Sequence, residues 1–311
     1  MPVRADAVIA IFAPGQGAQK PGMLLPWLDV PGIADEFARL CEVSGMDLVG
    51  LGTTASAEQI KDTAVAQPLI VALGVTVAAH LGLIGAAAHV VTGHSVGELT
   101  AAAVAGVLTP DAAVELAAHR GAAMAAACAR TPTGMAAVVG GSIDDALACL
   151  ATAGLTAANY NGAGQIVAAG SSADLKTLAA APPRGLRIVP LGVAGAFHTE
   201  HMAPAEWQLR SYAHELTPSA PKSTLLSNAD GTAVPTGAEV VQRIVRQVTS
   251  PVRWDLCLDT CRDLGVRVAI ELAPGGILTG IARRALPGVD LLAIKSPDDL
   301  PAARELLASV R

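Results

Sequence analysis

The chain has 311 residues, 52% of them hydrophobic but only 3% aromatic, and a formal net charge of −6. That length holds one large domain or two smaller ones, with a core of Ala, Val, Leu and Ile and helices packed closely through alanine. The acidic balance argues against a nucleic-acid partner, which needs a basic footprint, but permits a local basic patch facing an acidic protein.

Met1–Asp6 lacks the long apolar stretch of a secretory leader. Ala7–Phe12 is a continuous apolar run, as expected of a strand buried on both faces. It empties into Pro14-Gly15-Gln16-Gly17-Ala18-Gln19, a loop suited to bringing a backbone N–H close to a ligand. A dinucleotide loop is disfavoured, because no third glycine follows at the required place and no acidic residue ends a second strand. Residues 31–60 read as helices and loops with little chemistry. Gln67-Pro68-Leu69-Ile70 opens a long apolar helix, with Pro68 near its first turn. Gln67 is then either a site residue or a simple cap-region glutamine. No run of about 18 apolar residues free of polar breaks marks a membrane span.

The chain is organised around Thr92-Gly93-His94-Ser95-Val96-Gly97-Glu98. The apolar segment His89–Val91 precedes it, and the helix formers Leu99–Ala105 follow. Strand, sharp glycine-flanked turn, then helix is the context that makes G-x-S-x-G a nucleophile elbow. Ser95 must sit at the tip of the turn, so Gly93 and Gly97 need little bulk. The Val96 N–H opens the helix, where developing negative charge is stabilised. Thr109-Pro110-Asp111 starts the next helix with a cap, a proline at the first position and an acid in the first turn. On it, Arg120 shares a face with Leu116, Ala117, Ala123 and Met124. An arginine on an apolar stripe is costly unless paired, so either a carboxylate elsewhere in the chain pairs it or a substrate anion does.

From Gly134 the texture changes. Met135–Val139, Leu155–Tyr160, Gln165–Ala169 and Leu186–Leu191 read as strands, with helices starting at Ser142 and Ser172 and a turn over Asn161–Gly164. The order β-α-β-β-α-β is the split βαβ unit of a ferredoxin-like fold. His198 follows the last strand, where the small part returns to the large one, and interdomain clefts are where sites usually lie. His201 lies one helical turn further on, and context favours His198 as general base. Downstream, Leu225–Asn228 reads as a strand end and Val268–Leu272 as a buried strand. Five cysteines without a C-x-x-C pair suggest neither a disulfide framework nor a zinc site. Reduced thiols fit a cytoplasmic protein. The expected fold is α/β. A larger α/β-hydrolase-like part with a mostly parallel sheet takes residues 1–130 and 197–311. An inserted ferredoxin-like βαββαβ part takes residues 131–196.

Several separated motifs then agree. They are Pro14–Gln19, Gln67-Pro68, Gly93–Glu98, Arg120-Gly121, Asn159–Gly164 with Gln165, Phe197-His198-Thr199, Asn228, Gln247 with Pro251–Trp254, and Glu271–Gly275. In this set the chain resembles malonyl-CoA:acyl carrier protein transacylases and the related acyltransferase domains of fatty acid and polyketide synthesis. The motifs span essentially the whole chain. The resemblance implies that Ser95 is the nucleophile and His198 its general base, oriented by the backbone carbonyl of Gln247. It implies an oxyanion hole of the Gln16 and Val96 N–H groups. It implies that Arg120 grips the malonyl carboxylate while Gln67 and Asn161 line the site. Phe197, before the histidine, accompanies malonyl use in such domains, and a serine there accompanies methylmalonyl use. One departure is Ala13 before Pro14, where the family often has Phe; it should not disturb the Gln16 backbone.

The implied reaction moves malonyl from malonyl-CoA to the phosphopantetheine thiol of acyl carrier protein by a ping-pong route. It needs no cofactor and no metal, since malonyl-CoA is substrate and phosphopantetheine is carried by the partner. A monomer is expected, without nucleic acid or membrane. A discrete acyltransferase serving a polyketide synthase would share the residues and differ only in its carrier. A serine hydrolase of the α/β-hydrolase type would place Asp or Glu and then His after the serine, with no need for Arg120. A non-enzymatic carrier-protein scaffold is disfavoured, because every acyl-transfer residue is present.

Overall fold

Among the described residues, two five-stranded sheets, one parallel and one mostly antiparallel, carry the chain. The structure is a computed structural model and describes residues 8–87, 89–193 and 195–309. The stretch Met1–Asp6, and Ala7 of the first expected strand, lie outside the described residues. The first elements are β1 (Val8–Ala13), α1 (Ile33–Ser44), α2 (Leu48–Thr54), α3 (Thr63–His80), β2 (Val90–Gly93), α4 (Gly97–Val104) and α5 (Pro110–Cys128). Then come β3 (Thr133–Val139), α6 (Ile143–Thr152), β4 (Thr156–Gly162), β5 (Gln165–Ser171), α7 (Ser172–Ala180) and β6 (Arg187–Pro190). The chain closes with α8 (Ala203–Ala213), β7 (Thr224–Leu225), α9 (Gly237–Gln247), β8 (Val252–Arg253), α10 (Trp254–Asp263), β9 (Val266–Glu271), α11 (Ile277–Ala285), β10 (Asp290–Ala293) and α12 (Leu300–Ala308).

The larger sheet has the order β10-β9-β1-β2-β7, and every pairing in it is parallel. Its central strand is apolar because both faces are covered: Ile9, Ala10, Ile11 and Phe12 are fully buried. Ala13 of β1 pairs with Gly93 of β2, so the loop leaving β1 runs beside the turn leaving β2. Crevices at the carboxyl ends of parallel strands are where α/β sheets bind ligands.

In the second sheet, β6-β3-β5-β4-β8, the strands β3 and β5 are central. The crossover β3-α6-β4 straddles β5, and β5-α7-β6 straddles β3, which is the split βαβ arrangement. Ser142 and Ser171 cap the two crossover helices through their hydroxyls. β8 comes from far along the chain, pairs in parallel with β4 and ties the sheet to the larger part.

Three local readings change. Pro68 lies inside α3, not near its start: Asp62 caps the helix by accepting from the Ala64 N–H, and the helix begins at Thr63. The proline leaves only the carbonyl of Ala64, in the first turn, without its helical partner. The turn after β4 is shorter than expected, since β4 runs to Gly162 and only Ala163 and Gly164 are left between the strands. Both have positive φ, 49° and 76°, as a two-residue hairpin of this twist requires. The structure adds two strands, β8 and β10, for which the sequence pattern gives no signal. α3 is long and apolar enough to cross a membrane by length and composition, but most of it is buried here, packed against α4 and α5.

Candidate active site

The turn from β2 to α4 is tight on every side. A Cβ on Gly93 would lie 2.1 Å from backbone atoms of Gly97, and one on Gly97 would lie 2.2 Å from the carbonyl oxygen of Ala13. Only glycine fits at either place, and the serine between them is forced to the tip. Ser95 has φ 55°, in the left-handed region that serine rarely enters. Such a backbone costs about 1–3 kcal/mol and persists only when its surroundings over-determine it. Here they do. The Ser95 N–H donates to Asn228 Oδ1 at 2.8 Å, Asn228 Nδ2 donates to the Gly93 carbonyl at 2.8 Å, and the His94 N–H donates to the Ala13 carbonyl at 3.0 Å.

His198 reaches this tip from the segment after β6. Its Nε2 lies 2.8 Å from Ser95 Oγ, and its Nδ1 lies 2.7 Å from the Gln247 backbone carbonyl. A carbonyl can face only a donor, so Nδ1 carries the hydrogen and Nε2 presents its lone pair to the hydroxyl. His198 also has a left-handed backbone, φ 62°. His201, the competing candidate, is exposed in the short turn Glu200–Met202. The His94 ring turns away from the hydroxyl, bonds Asn161 at 2.9 Å and packs edge-on against Trp254. Burial pushes both imidazoles below their usual range. For His198 the value falls to about 3, because burial and then the Arg120 charge outweigh the Gln247 carbonyl.

A neutral His198 should keep Ser95 reactive well into acid. The rate at which an uncharged phosphonylating reagent labels Ser95 should stay flat from about pH 8 to about pH 5, with no limb at the ordinary histidine value near 6.5. A fall centred near that value would contradict the assignment of the environment. Stability should behave differently. The unfolded chain binds a proton at His198 that the folded chain refuses, so stability falls as pH drops below about 6.5.

Arg120 is only 1% exposed. Among the described residues it has no carboxylate within ion-pair distance. Two amide oxygens hold it instead: Nη1 donates to Gln67 Oε1 at 2.7 Å and Nη2 to Gln247 Oε1 at 2.9 Å, while Nε has no partner. Burial lowers its pKa to about 10, which leaves it charged at neutral pH. Gln67 is therefore no cap-region residue. It lines a cleft of about 700 Å³ together with Ser95, His198, Phe197, Asn161 and Gln16, and Arg120 sits one hydrogen bond behind that wall. The backbone N–H groups of Gln16 and Val96 donate to no protein acceptor among the described residues. Val96 stands at the start of α4, where the first N–H groups of a helix are left open for a ligand, and Gln16 lies in the loop leaving β1.

All nine residues named from the sequence thus gather at one place. Two braces went unassigned although their residues stand in the motifs. Asn228 bonds the elbow on both sides of its turn, and Glu98, in the first turn of α4, is buried behind it. Glu98 carries a signal of its own, as the one charge in a helix whose every residue is buried.

A strained elbow serine, held against a neutral histidine at the carboxyl ends of a parallel sheet, is the arrangement of covalent acyl transfer through serine. The comparisons with known proteins narrow that class. The chain belongs to the acyl transferase domain family, whose model matches residues 11–296. It is 51% identical over 298 residues to the malonyl CoA-acyl carrier protein transacylase of Mycobacterium bovis, covering 94% of this chain and 98% of that protein. To the protein of the same name from Escherichia coli (strain K12) it is 31% identical over 309 residues, covering 96% and 99%. Its fold matches the crystal structure of MCAT from Mycobacterium tuberculosis with a TM-score of 0.92 and 50% identity, covering 96% and 99% of the two chains. A malonyl-transacylase solved in complex with a type II PKS acyl-carrier protein gives a TM-score of 0.89 at 27% identity, covering 96% and 100%.

Proposed function

We propose that the protein moves the malonyl group of malonyl-CoA to the phosphopantetheine thiol of an acyl carrier protein, for fatty acid synthesis, through malonyl-Ser95. The observation that carries the choice of acyl group is Arg120: a buried guanidinium held only by amide oxygens, next to the serine–histidine pair. No carboxylate touches it among the described residues. Ser95 Oγ attacks the thioester carbonyl as His198 Nε2 takes its proton. The oxyanion is received by the Gln16 and Val96 N–H groups, the contribution that is usually largest. The C–S bond breaks, and His198 returns the proton to the departing coenzyme A thiolate. The carrier thiol then gives its proton to His198 and attacks the ester, and Ser95 leaves with that proton.

Only C–S, C–O and proton-transfer bonds change, so no electrons are exchanged and the scheme draws on no redox group or metal. Phe197 and Asn161 border the acyl group and the pantetheine arm. The same reading divides the chain into a catalytic part, residues 1–130 with 197–311, and a smaller part, residues 131–196, with the cleft between them. It takes the protein as a cytoplasmic monomer, and its cysteines, unpaired throughout the described residues, are consistent with that compartment. A carrier from polyketide synthesis is the second reading, favoured by the solved type II PKS complex.

Intact-mass analysis after exposure to a panel of acyl-CoAs tests the proposal, followed by addition of a fatty-acid or a polyketide carrier. A malonyl adduct that transfers to the carrier is expected. Free malonate released without transfer would favour a hydrolase.

Phe197 should limit the size of the acyl group. It is 5% exposed, borders the cleft, and its ring lies against Gly195. A branch on the α-carbon has little room beside it, and overpacking costs about 1–3 kcal/mol. Phe197→Ser is expected to admit methylmalonyl-CoA by about tenfold or more while malonyl activity persists. Competition between the two thioesters, read by mass, checks it; an unchanged ratio would remove Phe197 from the specificity argument.

A further inference from the structure

Behind the elbow lies a polar chain that the reaction as written does not use. Glu98 is 5% exposed, and both of its oxygens face donors. Oε1 accepts from the Asn228 N–H at 2.6 Å, and Oε2 accepts from Gln247 Nε2 at 2.5 Å. A carboxylate suits two donors, whereas a protonated acid would turn its own hydrogen toward one of them. On its other side Gln247 accepts from Arg120 through Oε1 at 2.9 Å. One side-chain amide therefore separates a buried carboxylate from a buried guanidinium.

The orientation of that amide is forced. Its nitrogen faces three oxygens, Glu98 Oε2 at 2.5 Å, Asn228 Oδ1 at 3.1 Å and the Ser95 carbonyl at 3.2 Å. Among the described residues its oxygen faces only the guanidinium. Turned over, the amide would set oxygen against three oxygens and nitrogen against a cation. Glu98, the nearest of the three acceptors, dominates that choice. It also balances Arg120 without touching it, so the guanidinium keeps donors that a direct ion pair would consume.

We propose that Glu98 is a positioning residue for the acyl carboxylate: acting through the Gln247 amide, it holds Arg120 aimed at the cleft and sets the preference for a carboxylate-bearing acyl group. The proposal rests on the malonyl-transfer reading.

The test measures acylation of Ser95 by malonyl-CoA and by acetyl-CoA, by intact mass, in the wild type, Glu98→Gln, Gln247→Leu and the double variant. In Glu98→Gln the malonyl preference should fall on the order of 10–100-fold, the range spanned by a hydrogen bond to a charged group. Acetyl transfer should change little, because Ser95 and His198 keep their contact. A merely structural role would slow both thioesters together. Gln247→Leu keeps the backbone carbonyl that faces His198 and should show the same loss of preference. In the double variant the second change should add nothing, since both act through one amide. An unchanged preference in folded Glu98→Gln, or losses that multiply in the double variant, would overturn the proposal. If Glu98→Gln does not fold, Glu98→Asp takes its place, because it keeps the acid but draws it back from the Gln247 amide; a fall in malonyl preference with acetyl transfer kept supports the proposal, and an unchanged preference overturns it. A wild type that takes no malonyl group at all would instead refute the proposed function.

Discussion

Ser95→Ala will form no malonyl adduct and will fold as the wild type does. The change removes one oxygen and no backbone contact. The residue 95 N–H still donates to Asn228 Oδ1, and Gly93 and Gly97 still pass their neighbours at distances that admit only glycine. Alanine tolerates φ 55° no worse than serine, so the strain at the tip is unchanged. What disappears is the proposed nucleophile, and where nucleophile and base act as a unit the loss in turnover is on the order of 10⁶. His198 loses the hydroxyl at 2.8 Å but keeps its bond to the Gln247 carbonyl. Intact mass with malonyl-CoA measures the adduct, and a thermal melt measures the fold. An acylated Ser95→Ala protein would place the nucleophile elsewhere.

The site was legible in the sequence to the extent that its chemistry needs unusual residues in fixed local order. Gly93-His94-Ser95-Val96-Gly97 announces itself, because a Cβ on either glycine would lie within 2.2 Å of neighbouring backbone. Arg120 was half legible. Helix spacing put it on an apolar face but could not choose between an internal carboxylate and a substrate anion, since the groups that meet it come from α3 and α9. Gln247 shows why local pattern runs out: it orients His198 with a backbone carbonyl, which every residue owns, so family likeness alone could point to it.

The same limit appears in the fold. The apolar run of β1 announced itself, as did the caps at Thr109 and Ser142. β8 is two residues long, too short for any period, and exists because it docks on β4. Pro68 misled because proline favours a helix start, yet Asp62 supplies a better cap and begins α3 earlier. The buried chain from Glu98 through Gln247 to Arg120 is long-range throughout, with partners more than 100 residues apart, and no one-dimensional pattern reports it.

Arg120→Ala will weaken malonyl transfer sharply and relax the preference against acetyl-CoA. Malonyl-CoA brings a carboxylate, a stronger acceptor for a guanidinium than the Gln67 amide oxygen it would meet at the cleft wall, and one that can take two parallel hydrogen bonds. Acetyl-CoA brings none and leaves the buried charge to the amides. Truncating one partner of a buried charge pair costs roughly 2–5 kcal/mol, so malonyl acylation should fall on the order of 10²–10³. Acetyl acylation should hold or rise. The substitution also strips Glu98 of its counter-charge. Burial already holds that carboxyl up at about 7, with Arg120 opposing, and without the guanidinium it moves further toward the neutral acid. Arg120→Lys separates charge from geometry, because it keeps the cation and loses the planar fork; it should recover part of the malonyl rate but not the full discrimination. Competition between malonyl- and acetyl-CoA, scored by the mass of the adduct on folded protein, measures all three chains. An unchanged acyl profile in Arg120→Ala would make the guanidinium a tie between α3, α5 and α9, with the substrate carboxylate bound by something else.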